Sequence, residues 1–147
     1  MSISSTTGMT TNPVSDVTEV VGTVIFRPLE AKIIQEEGSA HQIMPYVKIR
    51  LGWHSGKSSV ANTEGTNPKW IDNIVLERAH SEGFAKLKIK DQNRSILNDR
   101  IGEVRLNMDE LCNKRRITEW FKIHKGDKEV GEIHLDMEYH NKPIVHM

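Results

Sequence analysis

Hydrophobic and polar residues alternate through several short stretches of the chain, most clearly in MPYVKIRLG at 44–52. Its apolar residues recur at every second position, which is the period of a β-strand with one buried face. The intervening positions carry Tyr46, Lys48 and Arg50. Pro45 suits a first strand residue, where a missing N–H group breaks no ladder bond, and Gly52 is expected to end the strand in a turn. One face of this strand therefore belongs to a core, and the other presents an aromatic ring beside two cations.

Seven further short stretches carry a similar pattern and are separated by polar or glycine-containing loops. We predict strands at 22–34 (interrupted at Pro28), 57–61, 70–76, 85–90, 101–106, 119–123 and 130–139. Trp70 is the expected core anchor of its strand. Asp109 can cap a short helix that runs to Lys114 and turns Leu111 and Cys112 inward. Eight short strands and one short helix predict an all-β fold, an eight-stranded antiparallel β-sandwich.

The domain organisation follows from composition. Residues 1–18 are rich in serine and threonine with almost no apolar pattern, so we expect a disordered tail. Residues 19–140 are predicted to form one domain and 141–147 a C-terminal tail. Twenty basic and twenty acidic residues cancel, so any electrostatic partner must be recognised by a local patch. We expect no nucleic-acid partner.

Cysteine usage and apolar run lengths suggest where the protein acts. A single cysteine excludes an internal disulfide framework and fits a reducing cytosol. No apolar run approaches the roughly 18 residues of a membrane span, and no signal-peptide pattern is present. We therefore expect a cytoplasmic protein whose membrane contact is peripheral. The histidines are scattered and no nucleophile–base or phosphate-cradling glycine motif occurs, so we do not expect an enzyme.

These features together resemble the C2 domain family over about residues 20–139. The motifs that carry the resemblance are Gly22-x-Val24-x-Phe26 with Ala31, MPYVKIRLG at 44–52, Asn67-Pro68-Lys69-Trp70, DQNRSILNDRIG at 91–102, Glu119-Trp120 and Gly131-x-Ile133-x-Leu135. The resemblance implies a C2-like sandwich that binds lipid headgroups. In many members it also implies a calcium site, built from five aspartates in two loops at one end of the sandwich.

The calcium ligands that the resemblance implies are incomplete in this chain. Met44 stands where the family has an aspartate before Pro-Tyr, and Gly38 stands at the partner position, with Glu36 and Glu37 nearby. In the second loop the family's positions fall on Asp91, Asn93 and Asp99. Calcium needs six to eight oxygen ligands and binds more weakly as charged ligands are removed. We therefore expect no cofactor and an empty, degenerate metal site.

The two remaining aspartates then need another role. Asp91 can cap its loop through hydrogen bonds to nearby backbone groups, as aspartates commonly do at turns. Asp99 can pair with Arg100 or cap the loop in the same way. Weak calcium-dependent phospholipid binding through Asp91, Asn93 and Asp99, assisted by Glu36 or Glu37, stays open as an alternative.

Without calcium, a basic face is the first of two routes to a membrane. The predicted strands carry Lys48, Arg50, Lys57, Lys86, Lys88 and Lys90 on exposed positions. The resemblance implies a phosphoinositide-binding groove with contributions from Tyr46, Lys48, Lys57 and Asn98, although Ser59 and Gln92 replace a lysine and an aromatic residue there. The candidate lipid-binding residues are Tyr46, Lys48, Arg50, Lys57, Lys86, Lys88 and Asn98. The alternative is that these lysines are ordinary solvated strand faces.

The second route is the apolar pair Ile96-Leu97 at the tip of an otherwise polar loop. These side chains are predicted to enter the bilayer interface, or else to fold back against the sandwich. The sequence therefore predicts a peripheral membrane-targeting module that binds anionic phospholipid or phosphoinositide largely without calcium, in vesicle or endosomal traffic. The alternative is a protein-interaction adaptor without lipid affinity, which would use the sandwich edges or the acidic last hairpin.

Overall fold

The computed structural model describes residues 20–34, 43–61, 66–79, 82–93 and 99–141. These contain β1 (Val20–Ile33), β2 (Pro45–Leu51), β3 (His54–Lys57), β4 (Ile74–Ala79), β5 (Phe84–Asp91), β6 (Arg100–Asn107), α1 (Met108–Lys114), β7 (Arg116–Lys125) and β8 (Lys128–His140). The strand order is β3-β2-β5-β6-β7-β8-β1-β4, and all neighbours are antiparallel. The predicted all-β fold with eight strands and one short helix is confirmed.

The strands divide into two layers around one core. β6 and β7 share a single pair, Glu103 opposite His124, so the sheet folds there into the layers β3-β2-β5-β6 and β7-β8-β1-β4. Val47, Ile49 and Leu51 of β2 are fully buried, as their alternation predicts. The other layer contributes the inward side chains of Phe26, Ala31, Ile133, Leu135 and Met137. Each layer therefore keeps an outer face for polar side chains.

Two strand boundaries differ from the prediction. β3 covers 54–57 rather than 57–61, because Leu51 pairs directly with His54 across the two-residue turn Gly52-Trp53. Gly52 adopts a φ of 60°, and a glycine at the first position of such a turn is typical of a type II′ hairpin. β4 begins at Ile74 rather than at 70, because the preceding residues run beside β1 with only one isolated bridge. Trp70 is nevertheless buried in the core, as predicted.

The helix has a different cap from the predicted one. Asn107 is the N-cap, and its side chain accepts a hydrogen bond from the Glu110 N–H group. Asp109 lies in the first turn and instead contacts the buried Arg78, with 2.9 Å between the guanidinium and the carboxylate. Leu111 is buried and Cys112 packs partly against the core, as expected.

Parts of the predicted organisation fall elsewhere in the chain. The predicted tail 1–18, and residues 142–147 of the predicted C-terminal tail, lie outside the described residues. In the described segments, no helix has the length and apolar character needed to cross a bilayer.

Candidate functional site

The outer face of strands β2, β5 and β6 carries a groove of about 590 Å³, which we call the basic groove. It is lined by Lys48, Arg50, Gly52, Phe84, Ala85, Lys86, Lys88, Lys90, Glu103 and Arg105. Six of these ten residues are lysine or arginine, and one is acidic. The groove is therefore a local positive surface on a chain whose net charge is zero.

Strand register explains why these cations cluster. Residues directly opposite each other in antiparallel strands point to the same face, with about 5 Å between their Cβ atoms. One row across the sheet is Lys57, Lys48, Lys88 and Glu103. The next row is Ser55, Arg50, Lys86 and Arg105. The alternation on each strand thus becomes a two-dimensional array of positive charge.

Carboxylates neutralise only part of this array. Glu103 is 3.5 Å from the Lys86 ammonium and 2.9 Å from the Arg100 guanidinium. Lys90 pairs with Asp99 at 3.5 Å. Three further lysines, Lys48, Lys57 and Lys88, form no ion pair with any carboxylate among the described residues. These lysines leave positive charge available to an external anion.

The predicted lipid-binding residues do not all share one depression. Lys48, Arg50, Lys86 and Lys88 line the basic groove. A second, smaller depression of about 370 Å³ is lined by Tyr46, Lys57, Ser58, Ser59, Val60, Asp91, Gln92 and Asp99. Lys57 lies opposite Lys48 in the strand register, so the two depressions adjoin. Asn98, Ile96 and Leu97 lie outside the described residues.

Asp91 has the structural role predicted for it. The residue is 2% exposed, and its Oδ1 accepts hydrogen bonds from the backbone N–H groups of Met44 (2.9 Å) and Asn93 (3.0 Å). Its own N–H group donates to the carbonyl oxygen of Asp99. Asp91 thereby ties the start of β2 to the loop that follows β5.

Of the two roles predicted for Asp99, the pairing with Arg100 is wrong. Lys90 lies opposite Arg100 in the register and its ammonium reaches the Asp99 carboxylate. The Arg100 guanidinium instead contacts Glu103, three residues further along the same strand. Among the described residues, no group of three or more histidines, cysteines or acids could hold a metal ion. Residues 35–42, with Glu36, Glu37 and Gly38, lie outside that description.

Phe84 and Arg105 line the groove but are not among the candidate residues predicted from the sequence. Phe84 is 49% exposed, and the Arg105 guanidinium lies 3.9 Å from the centre of its ring. The signal was available, because β6 alternates buried Val104 and Leu106 with outward Glu103 and Arg105. The pairing of β6 with β5 then decides which face these side chains share with the lysines.

A second charged cluster lies on the outer face of the other layer. Asp136 of β8 accepts hydrogen bonds from Thr118, Arg116 and Arg27. Burial opposes ionisation of Asp136, but these three bonds outweigh it and lower the pKa of the carboxyl group. The Arg27 hydrogen bond, at 2.9 Å, also lowers the pKa of Glu138. Two acids of the last hairpin are therefore already partnered within the sheet.

Comparisons with known proteins agree with this architecture. The family model described as C2 domain matches residues 22–123. Elicitor-responsive protein 3 of Oryza sativa subsp. japonica is 22% identical over 121 residues, which cover 82% of this chain and 84% of that protein. The solved structure of a C2 domain-containing protein superposes with a TM-score of 0.71 at 22% identity, covering 81% of this chain and 88% of the other. A calcium-bound structure of two C2 domains of extended-synaptotagmin 2 gives a TM-score of 0.70 at 22% identity, covering 83% of this chain and 46% of the other.

Proposed function

The chain belongs to the C2 domain family, and we propose that it is a peripheral membrane-targeting module whose basic groove binds anionic phospholipid or phosphoinositide headgroups. The observation that carries the proposal is the array of cations on three adjacent strands, in which Lys48 and Lys88 have no described carboxylate partner. Clustered ammonium and guanidinium groups suit phosphate oxygens. Each basic group near an anionic membrane contributes about 1 kcal/mol. Such a domain is a binding module, and we propose no catalysis.

The contributing residues follow from the two depressions. Lys48, Arg50, Lys86 and Lys88 line the groove that would face the headgroups, and Arg105 extends it. Tyr46 and Lys57 line the adjoining depression, where they could hold a second phosphate. Asn98 and the tip residues Ile96 and Leu97 stay predictions from the sequence.

Binding is proposed to proceed without calcium. Calcium requires six to eight oxygen ligands, and the described residues at this end do not fit that requirement. Asp91 uses Oδ1 to accept two backbone N–H bonds, Asp99 is paired with Lys90, and Met44 supplies only a thioether side chain. The calcium-bound extended-synaptotagmin 2 structure has the same fold, so the proposed calcium independence rests on the loop residues of this chain and not on its fold.

A finer likeness within the family suggests a cellular setting. The segments RLG at 50–52, NPKW at 67–70, NDRI at 98–101 and GEIHLDMEY at 131–139 resemble the C2 domain of the Toll-interacting protein. We extend the proposal on this basis to a cytoplasmic domain that attaches to vesicle or endosomal membranes. The adaptor alternative without lipid affinity would use the sandwich edges or the acidic last hairpin, and in that hairpin Asp136 and Glu138 already form ion pairs with Arg27.

Liposome sedimentation with charge-reversed variants tests the proposal. The protein should sediment with vesicles of phosphatidylcholine and phosphatidylserine, or of phosphatidylcholine and a phosphoinositide, when a calcium chelator is present. Added salt should weaken this binding. The double variant Lys48→Glu/Lys88→Glu should bind at least about thirtyfold more weakly, because the loss of two attractions of about 1 kcal/mol each already gives that factor and the new repulsion adds to it.

The matched control is Lys125→Glu/Lys128→Glu, which changes the net charge equally on the exposed β7–β8 hairpin. Equal binding by the groove variant and the wild type would contradict the headgroup site. Binding that disappears in chelator would contradict calcium independence. Loss of binding in Ile96→Ser/Leu97→Ser alone would assign the membrane contact to the loop tip instead.

A further inference from the structure

The turn between β2 and β3 presents Trp53, which is 85% exposed. It is the most exposed aromatic residue of the described chain. The turn is tightly built, because Leu51 pairs with His54 on either side of it. An indole ring in water leaves a large apolar area unburied, and tryptophan is highly buried on average in folded proteins. Trp53 therefore projects into solvent from a two-residue hairpin turn, where a partner can reach it.

On the side of the basic groove the surroundings of Trp53 are cationic and aromatic. The Glu82 carboxylate also packs against Gly52 of the turn, and it already accepts a hydrogen bond from the Ala79 N–H group. The Arg50 Nε–H group donates to the Gly52 carbonyl oxygen at 3.3 Å, which holds the guanidinium beside the turn. Gly52 and Phe84 both line the end of the basic groove, and Arg105 lies over the Phe84 ring at 3.9 Å. We call Trp53, Phe84, Arg50 and Arg105 the turn-end cluster. Tryptophan rings and snorkelling arginines are the side chains that suit the boundary between headgroups and acyl chains.

The turn-end cluster lies at the opposite end of β2 from Asp91, the described residue that precedes the predicted loop tip in the chain. Pro45 pairs with Asp91, whereas Arg50 pairs with Lys86. Asp91, the last residue of β5, therefore lies beside one end of β2, and the turn with Trp53 lies at the other end. An apolar contact at the turn would therefore adjoin the end of the groove that Gly52 and Phe84 line.

We propose that the turn-end cluster inserts Trp53 into the interfacial region of an anionic membrane while the basic groove contacts the headgroups. This inference rests on the proposed function and adds a membrane-contacting residue at the turn. A lipid surface fits better than a protein surface because the cluster continues directly into the unneutralised cations of the groove. The cations of the groove would then contact the anionic headgroups, and the Trp53 ring would contact the apolar acyl chains of the same membrane.

Tryptophan fluorescence tests the inference, because the chain has three tryptophans in distinct environments. Trp70 is buried, and Trp120 is stacked on His134 in the other layer, with 4.9 Å between ring centroids. The probe is a phosphatidylcholine–phosphatidylserine vesicle with acyl chains brominated near the headgroup, which quenches only inserted indoles. Trp120→Phe keeps Trp53 as the accessible fluorophore, and Trp53→Phe removes it. We expect quenching in Trp120→Phe and none in Trp53→Phe.

Sedimentation of the same samples separates the two proposals. Trp53→Ser should lower the vesicle partition coefficient about tenfold, since burial of one large apolar side chain is worth roughly that factor, with an unchanged urea midpoint. If the wild-type protein does not sediment with the vesicles, both the proposed function and this inference are contradicted. If the protein sediments but Trp53 is not quenched, only the inference is contradicted, and the turn-end cluster becomes a candidate protein contact.

Discussion

Asp136 is a charged residue on the outer face of a sheet that its hydrogen-bond partners bury almost completely. The residue is 3% exposed, and it lies in one row with Arg27 of β1 and Thr118 of β7. Arg116 adds two further bonds to the same carboxylate, at 3.0 and 3.2 Å. Alternation along β8 indicates that Asp136 points outward, but only the pairing of three strands supplies the partners that bury it.

Asp136→Asn is expected to lower the free energy of unfolding by about 1–3 kcal/mol, because an amide keeps the volume but loses the charge-assisted bonds. Asp127→Asn, in the exposed β7–β8 turn, is the matched control and should change it by less than about 0.5 kcal/mol. Urea denaturation measures both values. Equal stabilities of the two variants would show that the Arg27–Asp136–Arg116 contacts contribute nothing net.

The lowered pKa values of Asp136 and Glu138 predict how the stability of the fold depends on pH. The pKa values of Asp136 and Glu138 lie below their ordinary values of 3.8 and 4.5. A carboxyl group with a lowered folded-state pKa stabilises the fold above its ordinary pKa, and that contribution is lost as pH falls through the folded-state value. The urea concentration at the unfolding midpoint should therefore decrease when the pH is lowered below about 4. The fall should be shallower in Asp136→Asn, and identical acid profiles of wild type and variant would contradict this assignment.

At the scale of elements, faces were easier to predict than boundaries. The buried and exposed sides of β2 follow directly from its alternation. The start of β3 does not, because it depends on the turn at Gly52, which pairs His54 with Leu51. The start of α1 depends in the same way on which of two nearby polar residues reaches a free N–H group. Local competition of this kind is decided by backbone geometry, which the residue types alone do not specify.

Replacement of the helix cap tests that choice. Asn107→Ala should destabilise the protein by about 1 kcal/mol, because the Glu110 N–H group loses its side-chain acceptor. Asn107→Asp should stay close to the wild type, since both side chains cap well and a negative charge suits a helix N-terminus. Thermal or urea unfolding of both variants gives the comparison. An Asn107→Ala variant as stable as Asn107→Asp would disprove the cap.

At the scale of the whole molecule, the sequence predicted the cations of the site and left their arrangement open. Alternation places Lys48 and Lys88 on exposed faces of two strands that are far apart in sequence. Their meeting depends on the long-range pairing of β2 with β5, and Arg105 joins them only because β6 continues the same layer. The separate depression around Tyr46 and Lys57 also follows from tertiary packing. Side-chain period carries no information about which strands become neighbours.

The register of that layer has a thermodynamic consequence for the unbound protein. Lys48 lies directly between Lys57 and Lys88, and Lys86 lies between Arg50 and Arg105. Like charges that face each other across strands repel, and this costs folding free energy. An anion seated among them removes the repulsion and binds only the folded form, so its affinity adds to the stability of the fold. Repulsion between these facing cations therefore lowers the free energy of unfolding of the unbound domain. Binding to a negatively charged surface is expected to raise it again.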